Sequence, residues 1–322
     1  MTDDGHAGDL VGAYVLQACS PEEMRVIAEH ERHCAACAAD IADARRVTEW
    51  VGMSAARDPG PGLRSRVLSA ALAARPAAPS EEVRRLGELY HEQVDDLDRL
   101  LARLPRERWR QPSGPHESVR ALVRHLHGND EWVASAAGVL SRVYTADERR
   151  AWRRQADAIV EASTRPGAEL IVREVRLAGR GAVMRPMRDA LIQRGFETWI
   201  HAGDVRDVLG MPRRRPSGRQ LTDIVDFALG LIPAAMAAAG RGHPAKAIEL
   251  ALTGDGGGRR LVGLSPANPA SGDVVAEISL PADRFCLLLA GRLAGPHPEA
   301  EVAGDRVIAA DFLAVAATMG CD

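Results

Sequence analysis

Apolar residues recur at three- and four-residue spacing along most of the chain, which predicts a largely helical protein. Between residues 80 and 105, Val83, Leu86, Tyr90, Val94, Leu97, Leu101 and Leu104 mark one face of a helix opened by Ser80-Glu-Glu-Val and stopped by Pro105. The same periodicity predicts helices over about 117–139, 146–163 and 184–209, the last ended by Gly210-Met-Pro. Four long helices with one apolar face each predict an antiparallel bundle. Ahead of them, 9–18 reads as a short helix. Ser20-Pro21-Glu22-Glu23 opens another, with Ser20 as N-cap, Pro21 in the first turn and Glu23 at the third position. A third runs over 34–51 and is broken by Asp58-Pro-Gly-Pro-Gly62. An amphipathic piece over 63–74 sets Leu63, Val67, Leu68 and Leu72 on one side, and Arg75-Pro-Ala-Ala-Pro-Ser80 reads as a linker. After Pro216 the texture changes. A helix over 221–239 is followed by strands at 247–252, 260–264 and 274–280 between Gly-rich turns, then a helix over 281–293 and a last strand and helix. This end of the chain is expected to form a small α+β domain.

At 322 residues the chain is long enough for two or three domains. A net charge of −3, with no domain-wide basic excess, argues against a nucleic-acid partner. Met1-Thr-Asp-Asp-Gly-His is acidic and leads into no apolar signal region. The longest apolar run, 227–239, is too short to span a membrane and is interrupted by Pro233. A cytoplasmic location is therefore expected. In that compartment Cys19, Cys34, Cys37, Cys286 and Cys321 read as metal ligands or free thiols, not as a disulfide framework.

The first candidate chemistry is His30-x3-Cys34-x2-Cys37. One helical turn separates His30 from Cys34, so both leave the same face, and Cys37 follows at a spacing that lets two thiolates grip one ion. Thiolate and imidazole together suit zinc. A structural zinc site needs a fourth ligand, and His6, Cys19 and His33 are the candidates. His6 is the choice: it precedes the first helix and can loop back. Cys19 lies in the turn before the His30 helix and points elsewhere, and His33 is on the wrong face. The segment, with Gly12-Ala-Tyr-Val-Leu, Ser20-Pro-Glu-Glu and Leu63-Arg-Ser-Arg-Val-Leu, resembles the zinc-binding anti-sigma domain of bacteria over about the first 78 residues. The resemblance implies that this module wraps a group IV (ECF) sigma factor. Zinc thiolates of this kind either oxidise to a disulfide or hold a fixed structural ion.

The second constellation lies on the fourth bundle helix. Arg194, Glu197, His201 and Asp204 follow each other at three- and four-residue steps and share one face. Such a face is ordinarily just solvated. The second helix offers an imidazole from His125 or His127, which cannot both face inward. His125-Leu-His-Gly-Asn-Asp-Glu-Trp132, followed about 70 residues later by Arg194-x2-Glu197-x3-His201-x2-Asp204, resembles the mycothiol-dependent maleylpyruvate isomerase family of DinB-like four-helix bundles. The tail after Pro216 resembles that family's sterol-carrier-like domain, so the likeness covers 81–322. It implies that His125, Glu197 and His201 are metal ligands, that Asp204 is a carboxylate that either backs a ligand or orients substrate, and that Arg194 supports Glu197. Two imidazoles and a carboxylate leave zinc an open position, and nickel, iron or manganese accept the same donors. Where the family carries a Trp entering the second helix, this chain reads Pro115-His116-Glu117-Ser118-Val119.

Taken together, the expected fold is mainly α with a C-terminal α+β domain. Its parts are a zinc-stapled anti-sigma-like module (1–78), a DinB-like bundle (79–215) and a sterol-carrier-like domain (216–322). The function expected first is that of a zinc-binding anti-sigma factor whose bundle senses mycothiol, another small thiol or an electrophilic metabolite, because an enzyme has little reason to carry the N-terminal module. The alternative is a metal- and mycothiol-dependent isomerase or thiol transferase, to which the zinc module is an appendage. A scaffold with two structural metals is the third reading, opposed by the open three-donor site.

Overall fold

The chain divides into two units, Met1–Arg75 and Pro76–Asp322. The computed structural model describes residues 6–55, 63, 67, 81–139, 147–164, 170, 173–179, 183–293 and 300–320. Helices α1 (Leu10–Val15) and α2 (Pro21–Glu31) pack on α3 (Ala35–Ala55). The predicted capping box is present: Ser20 Oγ accepts from the Glu23 N–H at 3.3 Å, and the Glu23 carboxylate accepts from the Ser20 N–H at 2.8 Å. Among the described residues, the buried hydrophobic core of the N-terminal unit is Ala7, Tyr14, Ile27, Cys37 and Ile41. A core that small needs a staple to hold it. Of the piece expected over 63–74, only positions 63 and 67 are described, and both are helical and exposed. The linker over 75–80 lies outside the described residues.

In the second unit, α4 (Glu81–Arg103), α5 (Val119–Ala136), α6 (Glu148–Thr164) and α7 (Met187–Leu209) form a ring. In it α4 packs on α6 and α7, and α5 packs on the same two. All seven apolar positions read between residues 80 and 105 are buried. A 3₁₀ turn, Arg106–Arg110, leads from α4 toward α5. Helix α7 ends as expected at Gly210, whose φ of +69° is the left-handed cap conformation.

Two departures from expectation have local causes. Residues Met184–Pro186 form β2, paired antiparallel with β1 (Glu174–Arg176), and α7 begins only at Met187. Pro186 explains this, because the residue before a proline is pushed out of the helical region. The helix expected over 221–239 is two, α8 (Gly218–Leu229) and α9 (Ile232–Ala238). Pro233 lacks an N–H and its ring clashes with the carbonyl four residues back, that of Leu229. The stretch Gly218–Ala238 is long and apolar enough by length and composition to cross a membrane. Here Leu221, Ile224, Val225, Ile232 and Met236 from it are buried in the core of the unit.

The remaining elements are β3 (Lys246–Thr253), β4 (Gly258–Gly263), β5 (Asp273–Pro281), α10 (Ala282–Leu289), β6 (Glu301–Gly304) and α11 (Arg306–Ala316). The sheet order is β4-β3-β5-β6, with β3 and β5 parallel and the other pairs antiparallel. In register, Ile248 faces Ala276, Leu250 faces Ile278 and Leu252 faces Leu280, and these six side chains are buried. One contiguous apolar core runs from Val83 on α4 to Ala316 on α11. The protein is thus mostly helical with a small mixed sheet, and its core joins the helix ring to the sheet and its helices.

Candidate metal centres

In the N-terminal unit, His6, His30, Cys34 and Cys37 each bring one donor atom within 4.8 Å of the others. His6 Nδ1 lies 3.3 Å from Cys37 Sγ and 3.6 Å from Cys34 Sγ, and the Ala7 N–H points at Cys37 Sγ from 3.4 Å. His30 Nε2 is buried and makes no hydrogen bond. A buried imidazole nitrogen without a hydrogen bond, beside two free thiols, fits a metal-binding donor set. The Cys37 backbone N–H does most to lower the Cys34 thiol. Slight burial opposes it, and the Cys37 side chain, the Ala36 N–H and His6 add to it, leaving the thiol at about 6. The two other candidates are elsewhere: Cys19 Sγ faces the Leu10 carbonyl at 4.0 Å, and His33 is exposed, with Nδ1 2.9 Å from the Glu29 carbonyl. No disulfide occurs among the described residues.

In the second unit a different set of side chains converges. The donor atoms of His116, His125 and His201 lie within 4.8 Å of one another. Their ring centroids are 4.7 Å (His116–His125), 5.0 Å (His116–His201) and 5.4 Å (His125–His201) apart. His125 comes from α5 and His201 from α7, two helices that touch in the ring; His127 stays outside the group. The face is not solvated, as such a pattern ordinarily is: every residue from 190 to 206 is buried.

Asp204, one turn beyond His201, is 1% exposed and fixes that ring: its Oδ2 lies 3.0 Å from His201 Nδ1. With Nδ1 so engaged, Nε2 is the nitrogen left for a metal. The carboxylate also accepts from Arg292 Nε and Nη2 at 3.1 and 2.9 Å and from Arg213 Nη2 at 2.9 Å. Burial pushes the Asp204 carboxyl up. The hydrogen bonds and charges of His201 and Arg292 outweigh it, and the group sits well below the usual carboxylate range.

Glu197 stands outside the converging group. It is 3% exposed, and its Oε2 pairs with Arg194. Its Oε1 accepts from Asn129 Nδ2 at 2.6 Å and lies 2.6 Å from His125 Nε2. Behind it, Arg194 Nη1 is 3.5 Å from Asp130 Oδ1, and Asp130 Oδ2 accepts from Tyr90 Oη at 2.7 Å and Trp152 Nε1 at 3.1 Å. Burial raises the Asp130 carboxyl, and the Arg194 charge and these hydrogen bonds only partly offset it. Burial, with the Asp130 charge, also lifts the Tyr90 phenol well above its ordinary value.

The residues not anticipated from sequence are His116, Asn129, Asp130, Arg213 and Arg292. Asn129 was legible, one turn from His125 on the same face. The others reach the site from loops or from the back of a neighbouring helix, where spacing carries no signal.

No family model matches the chain, and no curated protein matches it. Two solved structures are similar to it. One is a crystal structure of the mycothiol-dependent maleylpyruvate isomerase in a histidine-to-alanine variant (14% identity, TM-score 0.47), and the other a crystal structure of the mycothiol-dependent maleylpyruvate isomerase (15%, 0.45). Each alignment covers 69% of this chain and 94% of the other.

Proposed function

We propose that the second unit is a metal-dependent enzyme acting on a small thiol and an electrophilic substrate, as an isomerase or thiol transferase. Mycothiol is the thiol that the sequence resemblance implies. The observation that carries this is the convergence of buried or half-buried imidazoles from two facing helices on one point, with Asp204 locking one of them. Nitrogen donors so arranged fit zinc or another borderline divalent ion. Such an ion supplies a Lewis acid that acidifies an entering thiol and polarises a carbonyl.

The chain's own residues do the positioning. Asp204 orients His201, while Arg292 and Arg213 hold Asp204 ionised in an interior that disfavours its charge. Glu197, gripped by Arg194 and Asn129, orients His125. His116 and His125 are only half-buried, which leaves a small molecule a way in. In this proposal 79–215 is the DinB-like metal-binding domain, and 216–322, the sterol-carrier-like domain, contributes Arg292 to it. The N-terminal four-donor cluster is a closed zinc site that staples residues 1–78 in the reducing cytoplasm. The test is turnover of a maleylpyruvate-type electrophile by the zinc-loaded chain with mycothiol. Turnover lost in His125→Ala supports the enzyme, and no turnover across a panel of electrophiles contradicts it.

A second function, of the N-terminal unit, is supported by the end of α3. There Val47, Trp50, Val51 and Met53 are exposed, Trp50 to 74%. An apolar patch of that kind fits a partner protein. The resemblance to anti-sigma domains makes a group IV sigma factor the candidate, which the bundle would then regulate as a sensor. Co-purification with a co-expressed sigma factor, lost in Trp50→Glu, is the expected result. No sigma factor retained by the wild-type chain contradicts it.

A further inference from the structure

We infer that His116 is a metal ligand of the second unit's centre, so that three imidazoles hold the ion and Glu197 is a positioning group for His125. The inference rests on the proposed metal site and specifies its donors.

The convergence includes His116 and leaves out Glu197. Donors on one tetrahedral zinc ion sit roughly 3.3 Å apart. Nitrogens already within 4.8 Å therefore need side-chain movement only on the order of 1 Å. His116 Nε2 is shielded from solvent.

The loop that carries His116 is built to one shape. Ser113 and His116 exchange two backbone hydrogen bonds of 3.1 Å across a tight turn. Between them Gly114 takes φ +56°, and a Cβ there would stand 2.5 Å from Asp204 Oδ2 and 3.1 Å from Arg292 Nη2. Only glycine allows this approach, and the approach sets His116 beside His201. Downstream, the Val119 N–H bonds to the Gln111 carbonyl at 3.0 Å, and Ser118 Oγ caps α5 by accepting from the Ala121 N–H at 3.1 Å. The loop is thus tied at both ends and pressed onto the carboxylate that orients His201.

Glu197, by contrast, is committed. Both its oxygens are engaged, by Arg194 and by Asn129 and His125. Turning it toward an ion would leave Arg194 with only the 3.5 Å contact to Asp130, where all three side chains are at most 3% exposed. An interior penalises a charge stripped of its partner heavily. In its present place Glu197 is an outer-shell acceptor for a ligand histidine. Three neutral imidazoles also leave the ion's charge uncompensated by protein, which acidifies a thiol at the remaining position more than a set containing a carboxylate would.

The test uses cobalt(II) bound to the full chain, read by visible absorption and by competition with a chelator. His116→Gln is expected to weaken the second site by more than about 100-fold, beyond the ten- to hundredfold typical of losing an outer-shell partner, and to change its d–d bands. Glu197→Gln is expected to keep the bands and lose no more than that outer-shell amount. His116→Cys, which retains a donor, is expected to add a sulfur-to-cobalt charge-transfer band beyond that of Cys34 and Cys37, read in the variant-minus-wild-type difference spectrum. Unchanged affinity and bands in His116→Gln, with both lost in Glu197→Gln, overturn the assignment, as does His116→Cys without the new band. If His125→Ala and His201→Ala also bind as much cobalt as the wild type, the metal site itself is wrong, a result distinct from a failure of His116 alone.

Discussion

Replacing Arg194 with methionine removes a cation set between two buried carboxylates. Arg194 is 1% exposed, Glu197 3% and Asp130 0%. Removing one partner of a buried ion pair costs about 3–5 kcal/mol. A second route to the magnitude is protonation. Keeping a stranded carboxyl neutral at pH 7, about three pH units above its ordinary pKa, costs roughly 4 kcal/mol at 1.36 kcal/mol per unit. The two agree at about 4 kcal/mol, which is a fall in melting temperature of about 8–16 °C for a unit of this size. The pH dependence follows from the direction of the shift. In the variant the folded-state carboxyl lies even further above its unfolded value than the raised Asp130 of the parent, whose Arg194 holds it down. The folded variant therefore binds more protons than its unfolded chain across that window, and its stability falls as pH rises through it. The penalty should shrink by about 1.4 kcal/mol per pH unit on going from pH 7 toward pH 5. Thermal melts followed by circular dichroism at both pH values measure it. A fall below about 2 °C, or an equal fall at both pH values, refutes the picture of a buried carboxylate–arginine–carboxylate chain.

Other outcomes follow from the same geometry. Gly114→Ala combines a left-handed residue, worth about 1–2 kcal/mol, with the close approach to Asp204. It should lower the melting temperature by about 2–8 °C, whereas Gly128→Ala, in open helix, should raise it slightly. Asp204→Asn removes the anchor of His201 and should weaken the second site's metal affinity by about ten- to hundredfold in a chelator competition; unchanged affinity contradicts the role assigned to it. In metal-free protein, Cys34 should be alkylated with a rate that rises through pH about 6 and is suppressed by zinc. Burial pushes the Cys286 thiol far up, so mass spectrometry should find that residue unmodified until the chain unfolds.

The helix ring was legible because α4 carries one apolar stripe, and each of its predicted positions is buried. The Arg194, Glu197, His201 and Asp204 series was legible because one helix spaces it. What spacing does not reveal is the helix's surroundings: α7 is buried all round from 190 to 206, which makes the series a buried charge network. Nor does it reveal which side chains meet across elements. His116 sits in a loop with no periodicity, and Arg292 reaches Asp204 from 88 residues further along the chain. The hairpin β1–β2 escaped because three-residue strands carry too short an alternation to read, and only Pro186 hinted at it. The N-terminal cluster was the easiest to read, because three of its four donors lie within eight residues of one another.

Metal content per chain tests most directly whether the protein holds one closed and one open centre. Zinc-loaded wild-type protein, freed of excess metal and measured by mass spectrometry of the elements, should carry two ions. His201→Ala and Cys34→Ser should carry one each, the first in the N-terminal unit and the second in the other. A wild type with a single ion, or a His201→Ala variant that keeps both, contradicts the account.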